Sequence, residues 1–325
     1  MAKIVAAAAT SHAYALMEPD EWDESRASNR KGYARRFGAE PPEHPMVAQE
    51  TDEDIKYRFN TVRSALDGIR DNFKSANLDV LIIFGDDQNE LFTEQTYIPA
   101  LAIYTGEKFR TLDRANPNGG TWYNTHHELA EHIYVGTVDD GFDVVGIHTM
   151  PDGILRSHAT GPILERVDPG SNIKIVPVWI EGIHMPAPSP ARCYAFGQSI
   201  ARAIESWPGN ERIGVIASGG LSHFTAGYPY KHAPGVIYGD IAREYDLNTV
   251  IETLKRGEGE SFASLTNRDL LDNGLIELRS WIAVAAMVGA VKTKDIVYEP
   301  FFRGIMGMGV AYWDIEGAKK LARAQ

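Results

Sequence analysis

The run Arg212-Ile213-Gly214-Val215-Ile216-Ala217 closes abruptly on Ser218-Gly219-Gly220 and continues as Leu221-Ser222-His223. A short apolar run bounded by turn residues reads as a buried strand. The paired glycines let the chain turn sharply, because glycine adopts backbone angles that other residues avoid. The turn then presents His223. In open α/β sheets, chemistry gathers outside the carboxyl ends of the strands. Histidine is the side chain whose ordinary pKa suits proton transfer near neutrality.

The same pattern recurs along the chain. Buried strands are predicted at Ile4–Ala9, Val80–Phe84, Ala100–Tyr104, Phe142–His148, Ile173–Ile180, Ile213–Ala217 and Ile296–Tyr298. Helices lie between them. The clearest runs from about Thr51 to Lys74, where Ile55, Phe59, Val62, Leu66, Ile69 and Phe73 recur at helical spacing. Thr51 with Asp54 forms a capping signal. A second helix starts at Ser189-Pro190 and stops near Trp207, before Pro208-Gly209. A third spans about Leu275 to Val288. Alternating strands and helices predict an α/β fold, with a central mixed, mostly parallel sheet flanked by helices. No composition break divides the chain, so residues 1–325 read as a single domain. Two polar stretches interrupt it: an irregular excursion or lid at about 18–50, and Asp113–Thr125, centred on Asn116-Pro117-Asn118-Gly119-Gly120.

Composition narrows the partners. The net charge of −12 makes nucleic acid and anionic membrane poor ones. No stretch approaches the length of a membrane span. The apolar start Met1-Ala2-Lys3-Ile4-Val5 gives way too soon to His12, Glu18, Asp20 and Glu21 for a signal peptide. It reads as a first strand, and the expected location is cytoplasmic. Cys193 is the only cysteine, which excludes an internal disulfide and any multi-cysteine metal site. It sits in a helical-looking run and reads as a packing residue rather than a nucleophile.

Three strand ends carry polar residues. The first ends in Thr10-Ser11-His12-Ala13, the second in Gly85-Asp86-Asp87-Gln88-Asn89-Glu90, the third in His223. Carboxylates and imidazoles converging on one sheet edge suit a divalent metal of the iron, manganese or zinc type. Each has a plainer alternative: His12 as a helix cap, Asp86 and Asp87 as turn residues bonding their own backbone, His223 as a loop residue. His158 and Glu277 are further candidates; Glu277 stands on a helix among Leu275, Ile276, Leu278 and Trp281. His126, His127 and His132 follow no strand and lack the paired spacing of a helical zinc site. Arg303, Lys231, Tyr228 and Tyr230 are possible substrate contacts for which surface positions are expected.

Taken in order, Thr10-Ser11-His12-Ala13, Gly85-Asp86-Asp87, Ala217-Ser218-Gly219-Gly220-Leu221-Ser222-His223 and Ile276-Glu277-Leu278-Arg279-Ser280-Trp281 resemble the class III extradiol ring-cleaving dioxygenases, the superfamily of the protocatechuate 4,5-dioxygenase catalytic subunit. The resemblance covers nearly the whole chain. It implies a mononuclear iron(II), with manganese(II) as the alternative, acting on a small aromatic substrate and O2. It matches His12 and Glu277 to metal ligands and His223 and His158 to the histidines beside the metal that move protons. It also leads us to expect a homo-oligomer. Gln88 departs from the pattern, standing where the family commonly carries its second histidine ligand. A glutamine carbonyl binds iron(II) more weakly than imidazole. Gln88 as a weak ligand, Glu90 in its place, or a lost metal all remain open. Glutamine-bearing relatives resemble enzymes of lignin-derived catechols, which makes such rings candidate substrates. The function expected is an extradiol-type dioxygenase; the alternatives are a non-oxidative hydrolase or lyase on the same scaffold, or a catalytically silent binding or regulatory homologue.

Overall fold

A computed structural model describes residues 1–93, 95, 97–111, 120–149 and 158–324. Residues 113–119 of the Asp113–Thr125 excursion expected from the sequence lie outside these residues. Among the described residues, eight strands form one mixed sheet and two more form a separate hairpin. The strands are β1 (Lys3–Thr10), β2 (Val80–Gly85), β3 (Leu101–Tyr104), β4 (Lys108–Arg110), β5 (Trp122–Asn124), β6 (Val145–Ile147), β7 (Lys174–Ile180), β8 (Arg212–Ser218), β9 (Asp295–Phe301) and β10 (Met306–Trp313). The sheet order is β6-β3-β7-β2-β8-β1-β10-β9, with β4 and β5 paired apart. The central run β7-β2-β8-β1 is parallel throughout. Antiparallel β10 and β9 extend it on one side, and antiparallel β3 on the other.

The central strands are apolar on both faces because both faces are covered. On one face, Phe84, Val178 and Val215 pack with Phe196 of the helix Pro190–Ser206 and with Ile282 of the helix Leu278–Val288. On the other, Ile83, Ile216 and Val310 pack with Phe59, Leu66 and Phe73 of the helix Asp52–Ser75. Thr51 caps that last helix by accepting a hydrogen bond from the Asp54 amide at 3.2 Å, as its sequence predicts.

The hairpin strands β4 and β5 are absent from the sequence reading, and three further elements differ from it. Strand β10, missed there, is buried along its full length and pairs with β1. Its sequence, Met-Gly-Met-Gly-Val-Ala-Tyr-Trp, carries glycines that strands disfavour. A Cβ at Gly309 would lie 2.8 Å from the Leu221 side chain and 3.0 Å from Trp281, so close packing requires the glycine there. The 18–50 excursion contains a 16-residue helix, Trp22–Phe37. It is polar almost all round and buries only Trp22 and Arg26, so it shows no apolar periodicity to read. Trp22 meets Phe59 and Phe301 edge-on at 5.2 and 5.1 Å. Arg26 and Arg303 then tie the helix to the β9–β10 turn, through the Arg303 carbonyl and the Asp23 carboxylate. Strand β6 is also shorter than the predicted Phe142–His148.

The long helix supplies a direct stability test. Leu66 is fully buried, whereas Tyr57 on the same helix is 77% exposed. Leu66→Ala should cost about 2–5 kcal/mol in chemical denaturation. Tyr57→Ala should stay within about 0.5 kcal/mol of the parent.

Candidate metal centre

Strands β2, β8 and β1 lie side by side and parallel, so their carboxyl ends open onto one edge. Thr10 is in register with Ser218, and Phe84 with Ala217. The next residues of β1 and β2 therefore bring His12 and Asp86 to either side of the Ser218 turn. The helix Leu278–Val288 aims its amino end at the same edge, with Glu277 at the position just before it. Glu277 is thus a capping-position residue rather than one within the helix, and the helix dipole favours its negative charge there.

Glu277 is the hub. Its Oε2 accepts a hydrogen bond from the Gly220 amide and lies 3.6 Å from His12 Nε2. Its Oε1 accepts from the Gln88 side-chain amide at 2.8 Å and lies 3.3 Å from His223 Nε2. Gly219 makes this approach feasible, since a Cβ there would stand 2.9 Å from the Cβ of Glu277. The Ser218 hydroxyl is 3.1 Å from His12 Nδ1. The Leu221 carbonyl accepts from His223 Nδ1 at 2.6 Å. Each histidine therefore turns Nε2 toward the carboxylate.

The two neighbouring aspartates have different tasks. Asp86 keeps the side-chain parity of Ile82 and Phe84 and is buried at the strand end. Asp87 points the other way and accepts from the amides of Glu90, Leu91 and Phe92 at 3.1, 2.9 and 3.1 Å, closing the turn after β2. Gln88 also donates to Asp86 Oδ2 at 3.4 Å. His158 Nδ1 lies 2.9 Å from Glu90 Oε2, which also accepts from the His158 backbone amide at 3.0 Å. The His158 ring meets the His12 ring edge-on at 4.7 Å. Its Nε2 lies 3.7 Å from Asp86 Oδ1, and neither atom has a hydrogen-bond partner among the described residues.

Burial and charge pull these groups apart. Burial pushes Asp86 well above the ordinary carboxylate range, and the Glu277 charge adds to that. Burial also opposes charge on Glu277, but His223 and His12 outweigh it and hold that carboxyl well below the usual range. Burial lowers His12, with Glu277 only partly offsetting it. For His223, burial is outweighed by Glu277 and by the Leu221 carbonyl, and the pKa rises to about 9. For His158, burial is outweighed by Glu90, Asp86 and Glu277, and it too rises to about 9.

His12, Asp86, His158 and Glu277 can each offer one nitrogen or oxygen, all within 4.8 Å of one another. Two buried carboxylates without a nearby Lys or Arg partner, two facing atoms without partners, and a mixed nitrogen–oxygen donor set fit a divalent first-row cation.

The chain belongs to the family described as the catalytic LigB subunit of aromatic ring-opening dioxygenase, whose profile matches residues 42–309. That match takes in Gln88, Glu90, His158, His223 and Glu277 and begins after His12. A gallate dioxygenase of Pseudomonas putida is 33% identical over 100 residues, covering 30% of this chain and 28% of that protein. A crystal structure of the uncharacterized protein JW3007 from Escherichia coli K12 aligns over 95% of this chain and 99% of its own, at 12% identity and a TM-score of 0.48.

His12, Gln88, Glu90, His158, His223 and Glu277 all lie in or against this cluster. His12, Gln88, His223 and Glu277 touch directly, and Glu90 joins through His158. The separate placing of Asp86 and the contact from Ser218 were not foreseen. The strand parity that assigns Asp86 inward was available, but the irregular turn after Gly85 obscured where it stops applying. His126 instead accepts from the Leu129 amide at the start of its helix, at 3.4 Å. Arg303 pairs with Asp23 and Asp52. Tyr228, expected at the surface, is fully buried, its hydroxyl donating to the Leu271 carbonyl. No helix among the described residues is long and apolar enough to cross a membrane.

Cys193 is fully buried, and desolvation pushes its thiol up to about 12. A thiol reagent at pH 8 should therefore leave the native protein unlabelled and modify one thiol per chain after denaturation, read by absorbance or mass.

Proposed function

We propose that this chain is an extradiol-type dioxygenase that opens a catechol-like ring with O2 at a divalent metal, iron(II) first and manganese(II) second. One observation carries the reading: a buried glutamate, Glu277, is shared by His12 and His223 at the carboxyl ends of three adjacent strands. The membership in a family of aromatic ring-opening dioxygenases supports it. A lignin-derived catechol is one candidate substrate. The product would be a ring-opened semialdehyde or, for a methoxylated ring, a lactone or ester.

His12 and Glu277 would hold the metal, with a further donor from the end of β2. When bound, the metal supplies a template on which ring and O2 meet and a path for electrons between them. The protein's own residues supply the proton handling. The Leu221 carbonyl keeps a proton on His223 Nδ1, so Nε2 is the nitrogen left to exchange a proton with the ring hydroxyl. His158, held by Glu90, presents Nε2 across the cluster toward Asp86, on the side where the metal would sit. Burial of the cluster excludes bulk water and strengthens each of these contacts.

Oxygen uptake by protein loaded anaerobically with iron(II) tests the reading on a panel of catechols that includes gallate. Consumption of O2 with loss of ring absorbance supports it. Turnover without O2, or metal without any turnover, would displace it. His12→Ala should abolish metal retention with the fold intact by circular dichroism. His223→Phe should keep the metal and lose roughly two to four orders of magnitude in turnover. Loss of metal from His223→Phe would instead make that histidine a ligand.

A further inference from the structure

We propose that Asp86 is a direct metal donor in this chain. On the same proposal Gln88, at the position of the family's second histidine, is an amide clamp between two carboxylates and not a ligand. This rests on the metal-centred reading above and assigns the donors within it.

The side-chain nitrogen of Gln88 faces the cluster, donating to Glu277 Oε1 at 2.8 Å and reaching Asp86 Oδ2 at 3.4 Å. An amide NH2 is a hydrogen donor and has no lone pair to give a cation. In this orientation Gln88 fixes the spacing of Asp86 and Glu277 and stabilises both as anions.

Two facing atoms are left over. Asp86 is 1% exposed, and its Oδ1 has no hydrogen-bond partner among the described residues. The facing atom 3.7 Å away, His158 Nε2, has none either. Buried polar atoms without partners are rare, and an absent ion is one of their few explanations. A cation held by both atoms, with His12 and Glu277 completing the group, would satisfy them together.

Glu90 is bound up elsewhere. It is already engaged by both the ring and the backbone amide of His158. A carboxylate on the far nitrogen of an imidazole is the usual support of a metal-binding histidine. Glu90 thus acts through His158, a positioning role, and Asp86 supplies the oxygen. Two carboxylates make this a harder site than the family's two histidines and one glutamate, which favours oxygen-preferring manganese(II) relative to the family pattern.

Anaerobic titration of the metal-free full-length chain with Mn(II) tests this, read by calorimetry and by the free-ion paramagnetic resonance signal. Asp86→Asn, nearly isosteric, should weaken Mn(II) binding by at least ~100-fold, beyond the ~10–100-fold typical of losing a supporting residue and expected for Glu90→Gln. Gln88→Ala should weaken it by about tenfold or less, as loss of one hydrogen-bonding clamp. Thermal melting gives a readout that needs neither turnover nor affinity. Without metal, Asp86→Asn should melt above the parent, because it removes a carboxyl whose burial beside Glu277 is unfavourable; in saturating Mn(II) the order should reverse. If Asp86→Asn keeps its affinity within about threefold while Gln88→Ala loses it, the glutamine is the donor and the proposal is overturned. If the parent chain binds neither Mn(II) nor Fe(II), the metal-centred reading itself fails, and the assignment of donors fails with it.

Discussion

The structure is organised around a carboxylate that cannot reach water. Glu277 is 2% exposed and is held by the Gly220 amide, the Gln88 amide and two imidazoles. A buried anion is costly unless it is paired and hydrogen-bonded. Its needs therefore dictate the surroundings: a glycine pair where the backbone must approach, an amide and imidazoles where donors are required, and a helix amino end behind it. Asp86, 3.4 Å from the shared Gln88 nitrogen, adds a second buried carboxyl group. Asp86 Oδ1 and the facing His158 Nε2 are left without partners among the described residues, and a cation is their simplest chemical complement.

The sheet delivers these groups with little freedom. Parallel β2, β8 and β1 share registers that set Thr10 beside Ser218 and Phe84 beside Ala217. One residue of slip in any of them would turn its terminal side chain to the other face. The wide apolar core on both faces resists such slips, so much of the chain positions a few atoms at one edge. Outside the sheet, the Trp22–Phe37 helix and the Arg303 ion pairs anchor the polar excursion onto the β9–β10 turn. That turn leads straight into Met306, whose methyl packs beside Gly220 in the site.

Much of this architecture is legible in the amino acids. The strands Lys3–Thr10, Val80–Gly85 and Arg212–Ser218 appear as uninterrupted apolar runs, because burial on both faces leaves no other reading. His12 and His223 follow from their positions at those ends, and Glu277 from its apolar neighbours and the family resemblance. What escapes has identifiable causes. Strand β10 is disguised by glycines that serve packing partners far away in sequence. The Trp22–Phe37 helix has no apolar stripe, since ion pairs and a few aromatic contacts of Trp22, Tyr33 and Phe37 hold it. The direction of the Gln88 amide depends on two carboxylates from separate elements, one of them 189 residues away, and no local rule encodes that. The division of labour between Asp86 and Asp87 is decided at the last residue where strand parity still applies.

The most direct measurement is an anomalous-difference map from crystals grown and loaded with Mn(II) without oxygen. The account predicts one strong peak enclosed by His12, Asp86, His158 and Glu277, with the Gln88 nitrogen turned toward the carboxylates and away from the ion. A peak elsewhere, or an ordered site with no peak at saturating Mn(II), would contradict it.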